Sequence, residues 1–395
     1  MQITVLGSGL VGGAIAKDLA REKTWSVTAV DRSPESLARL RQEEGLQLAC
    51  EDISTDAALK SVIGDADLVV NAVPGQIGYE TLRRIIDVGK DVVDISFFAE
   101  DPFELDSLAR QRGVTAVVDC GVAPGLSNVI AGHVYKDMDS VDSYLCLVGG
   151  LPAVRSWPYE YKAVFSPIDV MAEFTRPARF VEHGELVVRP ALSDVELIEF
   201  KGVGTLEAFN TDGLRSLART LDIPFMTEKT MRYPGHANLA RVFRDSGFFA
   251  TEYIEVGGVK VRPIDVTSRL LIEQWRMAET DADLTVMQII MTGQHQGRHE
   301  RRDFFLLDRF DTASGTTSMA RTTGYTCAIV ARQILAGMFT QKGICPPEYL
   351  GTTAGCYEHL LAELGRRNIV VQEAVTVLAE SLDQPEHNEF QRKIA

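Results

Sequence analysis

Three glycines near the start of the chain, Gly7, Gly9 and Gly12, supply the spacing G-x-G-x-x-G between an apolar run, Ile3 to Leu6, and a helical pattern that begins at Leu10 and Val11. A turn of this kind permits a sharp strand exit, close approach of backbone to a pyrophosphate, and tight helix packing. The free N–H groups and positive end of the helix then face the phosphates. The spacing alone is weak, because glycine turns join strands to helices in many domains. Its context strengthens it: a second apolar run, Ser26 to Val30, ends in Asp31, where an acidic side chain reaches the adenosine ribose hydroxyls. A charge at Asp31 repels a 2′-phosphate and selects NAD, while the neighbouring Arg32 and Ser33 soften that choice and leave room for NADP.

Further along, the residues able to do chemistry fall where apolar runs end. Asn71, Val73 and Pro74 follow DLVVNAV and can run beside the dinucleotide, as can Cys120, Gly121, Val122 and Pro124 in DCGVAPG. Asp94 and Asp119 each end a strand and either attract an amine or cap the following segment. Cys120 is reactive or merely packed. In the second half, Arg232 in TMRYPGH offers a planar fork for a substrate carboxylate, with Tyr233 beside it. His236 has the ordinary pKa to carry a proton, or it caps a loop. Asn210, Thr211 and Asp212 form a polar substrate loop or a plain turn. These types fit hydride removal from an amine-bearing carbon. Such a step needs a neutral nitrogen, although an alkyl ammonium has a pKa of about 10.4, so a base or a desolvating pocket is required.

The elements that must position these groups follow from periodicity. Short apolar runs alternate with helical stretches up to Asp119, predicting a six-stranded, doubly wound parallel Rossmann sheet in which ligands lie beyond the strands' carboxyl ends. From Ser143 β-branched and aromatic runs dominate, predicting a second α+β domain with an open, mostly antiparallel sheet. The expected α/β division is a dinucleotide-binding domain over 1–122, a substrate and oligomerisation domain over 123–315, and C-terminal helices over 316–395 that return to the first domain. The substrate would be held between the first two. A net charge of -15 disfavours nucleic-acid phosphates and anionic membranes as partners. No leader and no long apolar span stand out, which places the protein in the cytoplasm. Six scattered cysteines without a C-x-x-C pair predict reduced thiols. His295 and His299 read as a solvated hairpin turn, so no metal site is expected.

GSGLVG, VNAVP, DCGVAPGLSN, the GGLP turn at Gly149 to Pro152, YKAVFSP, LEAFNTDG and TMRYPGH, in this order, resemble the saccharopine dehydrogenase-related family. The likeness runs from the first strand to MARTTGYT and is nearest to the bacterial lysine 6-dehydrogenases. It implies a nicotinamide-dependent oxidoreductase acting on a carbon–nitrogen bond of lysine or a lysine-derived amino acid, and a homodimer or homotetramer. The expected reaction is oxidative deamination of the lysine side-chain amine. Alternatives are a saccharopine- or carboxynorspermidine-type imine reductase, which needs further cations for a second carboxylate, and a dinucleotide-binding sensor without turnover. The chain departs from the family pattern at DISFFAEDPFELD, which places Phe97, Phe98 and Glu100 near the cofactor's reactive end, and at Asp212 in NTDG.

Overall fold

A computed structural model describes residues 1–163, 167–278 and 281–378. Part of YKAVFSP and the polar tail LDQPEHNEFQRKIA lie outside these residues. The chain divides into two compact units, one from Met1–His133 with Asp311–Val370, the other from Val134–Phe310 with the segment from Val371 onward.

In the first unit, β1 (Gln2–Leu6), β2 (Ser26–Asp31), β3 (Leu46–Cys50), β4 (Leu68–Asn71), β5 (Asp91–Asp94) and β6 (Thr115–Val117) are all parallel. Their order is β6-β5-β4-β1-β2-β3, and the expected Rossmann sheet is present. Strands β4 and β6 are buried throughout. That is why LVV and TAV read as uninterrupted apolar or β-branched runs, with the polar Asn71 only at the end of its strand: a parallel strand covered on both faces has no polar side. Gly75–Val88, the helix after β4, stops at Gly89, whose φ of 83° supplies the left-handed cap. Helices Leu10–Ala20 and Ser318–Leu335 pack together in this unit, and the fully buried Asp18 carboxylate accepts from Arg332 Nη1 at 2.7 Å and Arg367 Nε at 2.9 Å.

The second unit holds β7 (Ser140–Pro152), β8 (Ala178–Glu182), β9 (Glu185–Arg189), β10 (Glu196–Phe200), β11 (Gly204–Asn210), β12 (Phe225–Arg232), β13 (Ile254–Val256), β14 (Val259–Val261), β15 (Asp283–His295) and β16 (Arg298–Arg309). The sheet path runs β10-β11-β12-β7-β15-β16, with the β8–β9 hairpin attached to β12. This sheet is mixed: β12 runs parallel to β7, while the other pairings are antiparallel. Strands β13 and β14 form a separate hairpin across Gly257–Gly258, at φ 58° and 81°.

Two strands lie in the stretch expected to be helical after residue 316. β17 (Gly343–Cys345) extends the first sheet beside β6, making it seven-stranded, and β18 (Val371–Val377) joins the second at β16. No described helix is long and apolar enough to cross a membrane.

Candidate functional site

The glycine loop is built as its spacing requires. Gly7 has φ 90°, and a Cβ there would stand 2.4 Å from the carbonyl oxygen of Ala72. A Cβ at Gly12 would stand 2.0 Å from Gly7 O, so any side chain forces the helix off the loop. Gly9 instead faces open space, as the approach of a pyrophosphate demands, and it caps the helix that starts at Leu10. Asp31 ends β2 with Oδ2 accepting Ser8 N–H at 2.7 Å and Oδ1 accepting Ser33 N–H at 2.8 Å. Each oxygen keeps a lone pair for a ribose hydroxyl. Arg32 is exposed beside it. Leu10 and Ile77, at the starts of the helices after β1 and β4, are exposed apolar side chains at the ligand-facing edge. Ile77 was not anticipated, although PGQIG marked its helix start. These features suit a bound dinucleotide.

At the carboxyl ends of β4 and β5, Asn71 Nδ2 donates to Asp94 Oδ2 at 2.5 Å and to Gly78 O at 3.2 Å, and Ser96 N–H donates to Asp94 Oδ1 at 2.6 Å. Asp94 is fully buried. Burial pushes its carboxyl up to about 8, with nearby Asp119 adding to the rise against the hydrogen bonds that favour the charged form. Asp119 follows β6 in the left-handed region, at φ 53°, and is itself buried. Cys120 N–H donates to Asp94 O at 2.9 Å, which leaves only backbone for any contact with a ligand, because the thiol is fully buried and its pKa is raised by that burial. A reactive Cys120 is therefore disfavoured. Val73 and Val122 are buried, Gly121 as well, while Pro74 is exposed and caps the helix Gly75–Val88. Pro124 is half-buried after a cis Ala123–Pro124 bond. Phe98 packs edge-on against Tyr79 in the core of this unit, so it does not open toward a cofactor.

In the second unit, Arg232 ends β12 directly opposite Glu207 on β11. Its Nη2 donates to Glu173 Oε2 at 2.8 Å, Nη1 donates to Met231 O at 3.0 Å, and its guanidinium lies 5.0 Å over the Tyr161 ring. The helix His236–Asp245 begins where a loop histidine was expected. Glu207 carboxylate oxygens accept the N–H groups of Gly235 and Ala237 at 2.8 and 2.5 Å, taking the orphan donors at that helix start. His236 is buried among Tyr161, Phe174 and Phe209, with ring separations of 4.9, 5.5 and 6.5 Å. Burial, then the Arg232 charge, push its pKa down to about 3. An imidazole in that setting stays neutral near pH 7, which works against the proton-carrying role expected of it.

The polar loop is held by its own partners. Asn210 Nδ2 donates to Ser193 Oγ and Asp194 Oδ2, and Tyr233 OH donates to Pro152 O at 3.0 Å. Asp212 takes both Arg179 Nε and Nη2 at 2.8 Å. Thr211 Oγ1 donates to Glu228 Oε2 at 2.7 Å, and burial raises that carboxyl to about 8. Asp212 is thus committed to the fold, and so is Nδ2 of Asn210, while Asn210 Oδ1 has no hydrogen-bond partner. Glu173, Tyr161, Trp275, Arg179 and Glu228 were missed: Tyr161 opens YKAVFSP but was given no role there, the others lie outside the recognised motifs, and all of them come together only through the tertiary fold of this unit. His295 bonds Glu300 and His299 bonds Asp142, and no group of metal-ligating side chains occurs among the described residues.

Residues 3–117 match the family model described as saccharopine dehydrogenase NADP binding domain, and residues 121–370 the model described as saccharopine dehydrogenase C-terminal domain. The chain is 23% identical to saccharopine dehydrogenase [NADP(+), L-glutamate-forming] of Schizosaccharomyces pombe, covering 87% of this chain and 93% of that one. It is 22% identical to carboxynorspermidine synthase of Vibrio cholerae, covering 89% and 92%. Against mouse mitochondrial alpha-aminoadipic semialdehyde synthase, 22% identical, it spans 48% of the relative's length. The apo structure of saccharopine dehydrogenase (L-Glu forming) from Saccharomyces cerevisiae shares the fold, with TM-score 0.77 at 20% identity over 95% of this chain and 99% of that one.

Proposed function

Since the chain belongs to the saccharopine dehydrogenase family, we propose that it interconverts a secondary amine and an imine on an amino-acid skeleton, as a saccharopine- or carboxynorspermidine-type reductase. At the coarser level it is an NAD(P)-dependent oxidoreductase acting at an amino-acid C–N bond. What carries the finer reading is the likeness, over nearly their full lengths, to relatives named for saccharopine and carboxynorspermidine.

The nicotinamide cofactor, when bound, accepts or returns the hydride at the carbon. The chain's residues do the rest. The loop Gly7–Gly12 seats the phosphates and Asp31 takes the ribose hydroxyls, favouring NAD over NADP. Arg232, with one nitrogen free of any protein acceptor, anchors a substrate carboxylate. Within the nucleotide-binding unit, Asp94 is the group suited to exchanging the proton, because a carboxyl held near 8 does so in the working range and an imidazole held near 3 does not.

The lysine 6-dehydrogenase reading stands second. One observation favours it: Arg179 and Arg155 are paired with Asp212 and Glu160, and Arg232, itself paired with Glu173, keeps only Nε for one substrate carboxylate. A sensor without turnover finds no support in relatives that are enzymes by name. Formation of NADH and NADPH is followed with L-saccharopine, then with L-lysine. Turnover with saccharopine and none with lysine is expected; turnover with lysine alone moves the assignment to oxidative deamination.

A further inference from the structure

Among the buried polar atoms of the second unit that have no hydrogen-bond partner are Tyr161 OH, Arg232 Nε, His236 Nε2 and Trp275 Nε1. They belong to one ring cluster. Tyr161 lies 4.9 Å from His236 and 5.3 Å from Trp275 by ring centroids, and the Arg232 guanidinium stacks on the same Tyr161 ring. Every one of the four residues is more than nine-tenths buried. A single orphan is a tolerable defect, but four gathered in one cluster point to a ligand that satisfies them.

Their chemistry is specific. Arg232 Nε–H and Trp275 Nε1–H only donate, and the Tyr161 hydroxyl donates readily beside a cation. His236 Nδ1 faces the Tyr159 carbonyl at 3.5 Å, and a carbonyl only accepts. The hydrogen therefore sits on Nδ1 and leaves Nε2 a bare acceptor. Three donors and one acceptor match an α-amino acid head: a carboxylate with acceptor lone pairs and an amino group with N–H bonds. Glu173, ion-paired to Arg232, supplies the negative charge that keeps the cluster near neutral, as a zwitterion prefers.

We propose that Tyr161 and Trp275 are specificity-determining residues that, with Arg232 and the neutral His236 Nε2, bind the unreacted α-amino acid head of the substrate. The proposal rests on the reading of Arg232 as the carboxylate anchor and deepens it with two residues to which the motifs gave no role. Trp275 ends the helix Pro263–Trp275, so the substrate head is read partly by a segment that follows the β13–β14 hairpin.

The test uses Tyr161→Phe and Trp275→Phe in the full-length chain. Tyr161→Phe removes only an unsatisfied hydroxyl, so the melting temperature of the apo-protein should hold or rise; Trp275→Phe also empties part of a packed core and lowers it, so its ligand binding is read against its own ligand-free melting temperature. Binding of L-lysine and L-saccharopine is read by the melting shift they cause without cofactor. Each variant should weaken the amino acid that binds wild type by about tenfold or more, and should leave the binding of 1,5-diaminopentane, which lacks the carboxylate, unchanged. Where turnover is measurable, KM should rise with little change in kcat. Unchanged amino-acid binding in both variants overturns the proposal, as does an equal loss for the diamine or a wild type that binds neither amino acid. Failure of turnover with normal binding would instead count against the proposed reaction and leave this site standing.

Discussion

Asn71 Nδ2 stands 2.5 Å from Asp94 Oδ2 inside a fully buried network, so two neighbouring strand ends share one short hydrogen bond. The Asp94 carboxyl sits near 8, against about 3.9 for an unfolded aspartate. A group raised on folding contributes stability that is complete below the unfolded value and is lost as pH climbs through the folded one. Wild type should therefore lose stability between about pH 4 and pH 8 relative to Asp94→Asn. Melting temperatures of both proteins from pH 5 to 9 check this; a constant difference across that range would remove Asp94 as a titrating group. The variant's kcat should also fall and lose the limb that titrates near 8.

Asp31 meets the glycine loop through Ser8, so Asp31→Ala loses both the ribose contacts and a loop hydrogen bond. NAD affinity should drop about tenfold to a hundredfold while NADP is affected less, as read by cofactor fluorescence titration. Equal losses would show that the carboxylate organises the loop without reading the ribose.

Arg232→Lys keeps a positive charge but removes the planar fork and the stack on Tyr161. The KM for the amino-acid substrate should rise about tenfold or more with kcat changed less. An unaltered KM would move the carboxylate anchor elsewhere in the chain.

His236 sits on the opposite side of the pH argument. Its folded pKa, near 3, lies below the usual 6.5, so its contribution is complete above about 6.5 and drains away as pH falls toward 3. His236→Asn should flatten the loss of stability on acidification and leave the shape of the pH-rate profile near neutrality unchanged. A profile whose acidic limb vanishes in this variant would restore the histidine as the proton carrier.

The nucleotide half was open to reading because its signals are local. Gly7, Gly12 and Asp31 act through turn geometry and a fixed spacing, and runs such as Leu68 to Val70 declare double burial by being apolar throughout. Ile344 and Val371 escaped notice for the opposite reason. β17 has three residues and pairs with a strand more than 200 positions earlier, while the exposed polar side chains of β18 hide its β-branched residues. The same distance hid Tyr161 and Trp275, because the contacts of Tyr161 with Arg232 and with Trp275 depend on the fold of the whole second unit. The pKa of His236 was invisible because burial, which no spacing encodes, decides it.

The first unit takes its seventh strand and the helix Ser318–Leu335 from chain that follows the second unit in sequence. During synthesis the N-terminal sheet therefore emerges early yet waits, with β6 as an unpaired edge, until Gly343–Cys345 has left the ribosome. The usual order, in which an N-terminal domain closes before the next appears, does not hold here, because the first sheet lacks Gly343–Cys345 and the second lacks Val371–Val377 until the end of the chain is made. A nascent chain stopped before residue 343 would expose that edge to other chains, and truncation near residue 310 should give an aggregation-prone fragment in place of a free-standing nucleotide-binding domain.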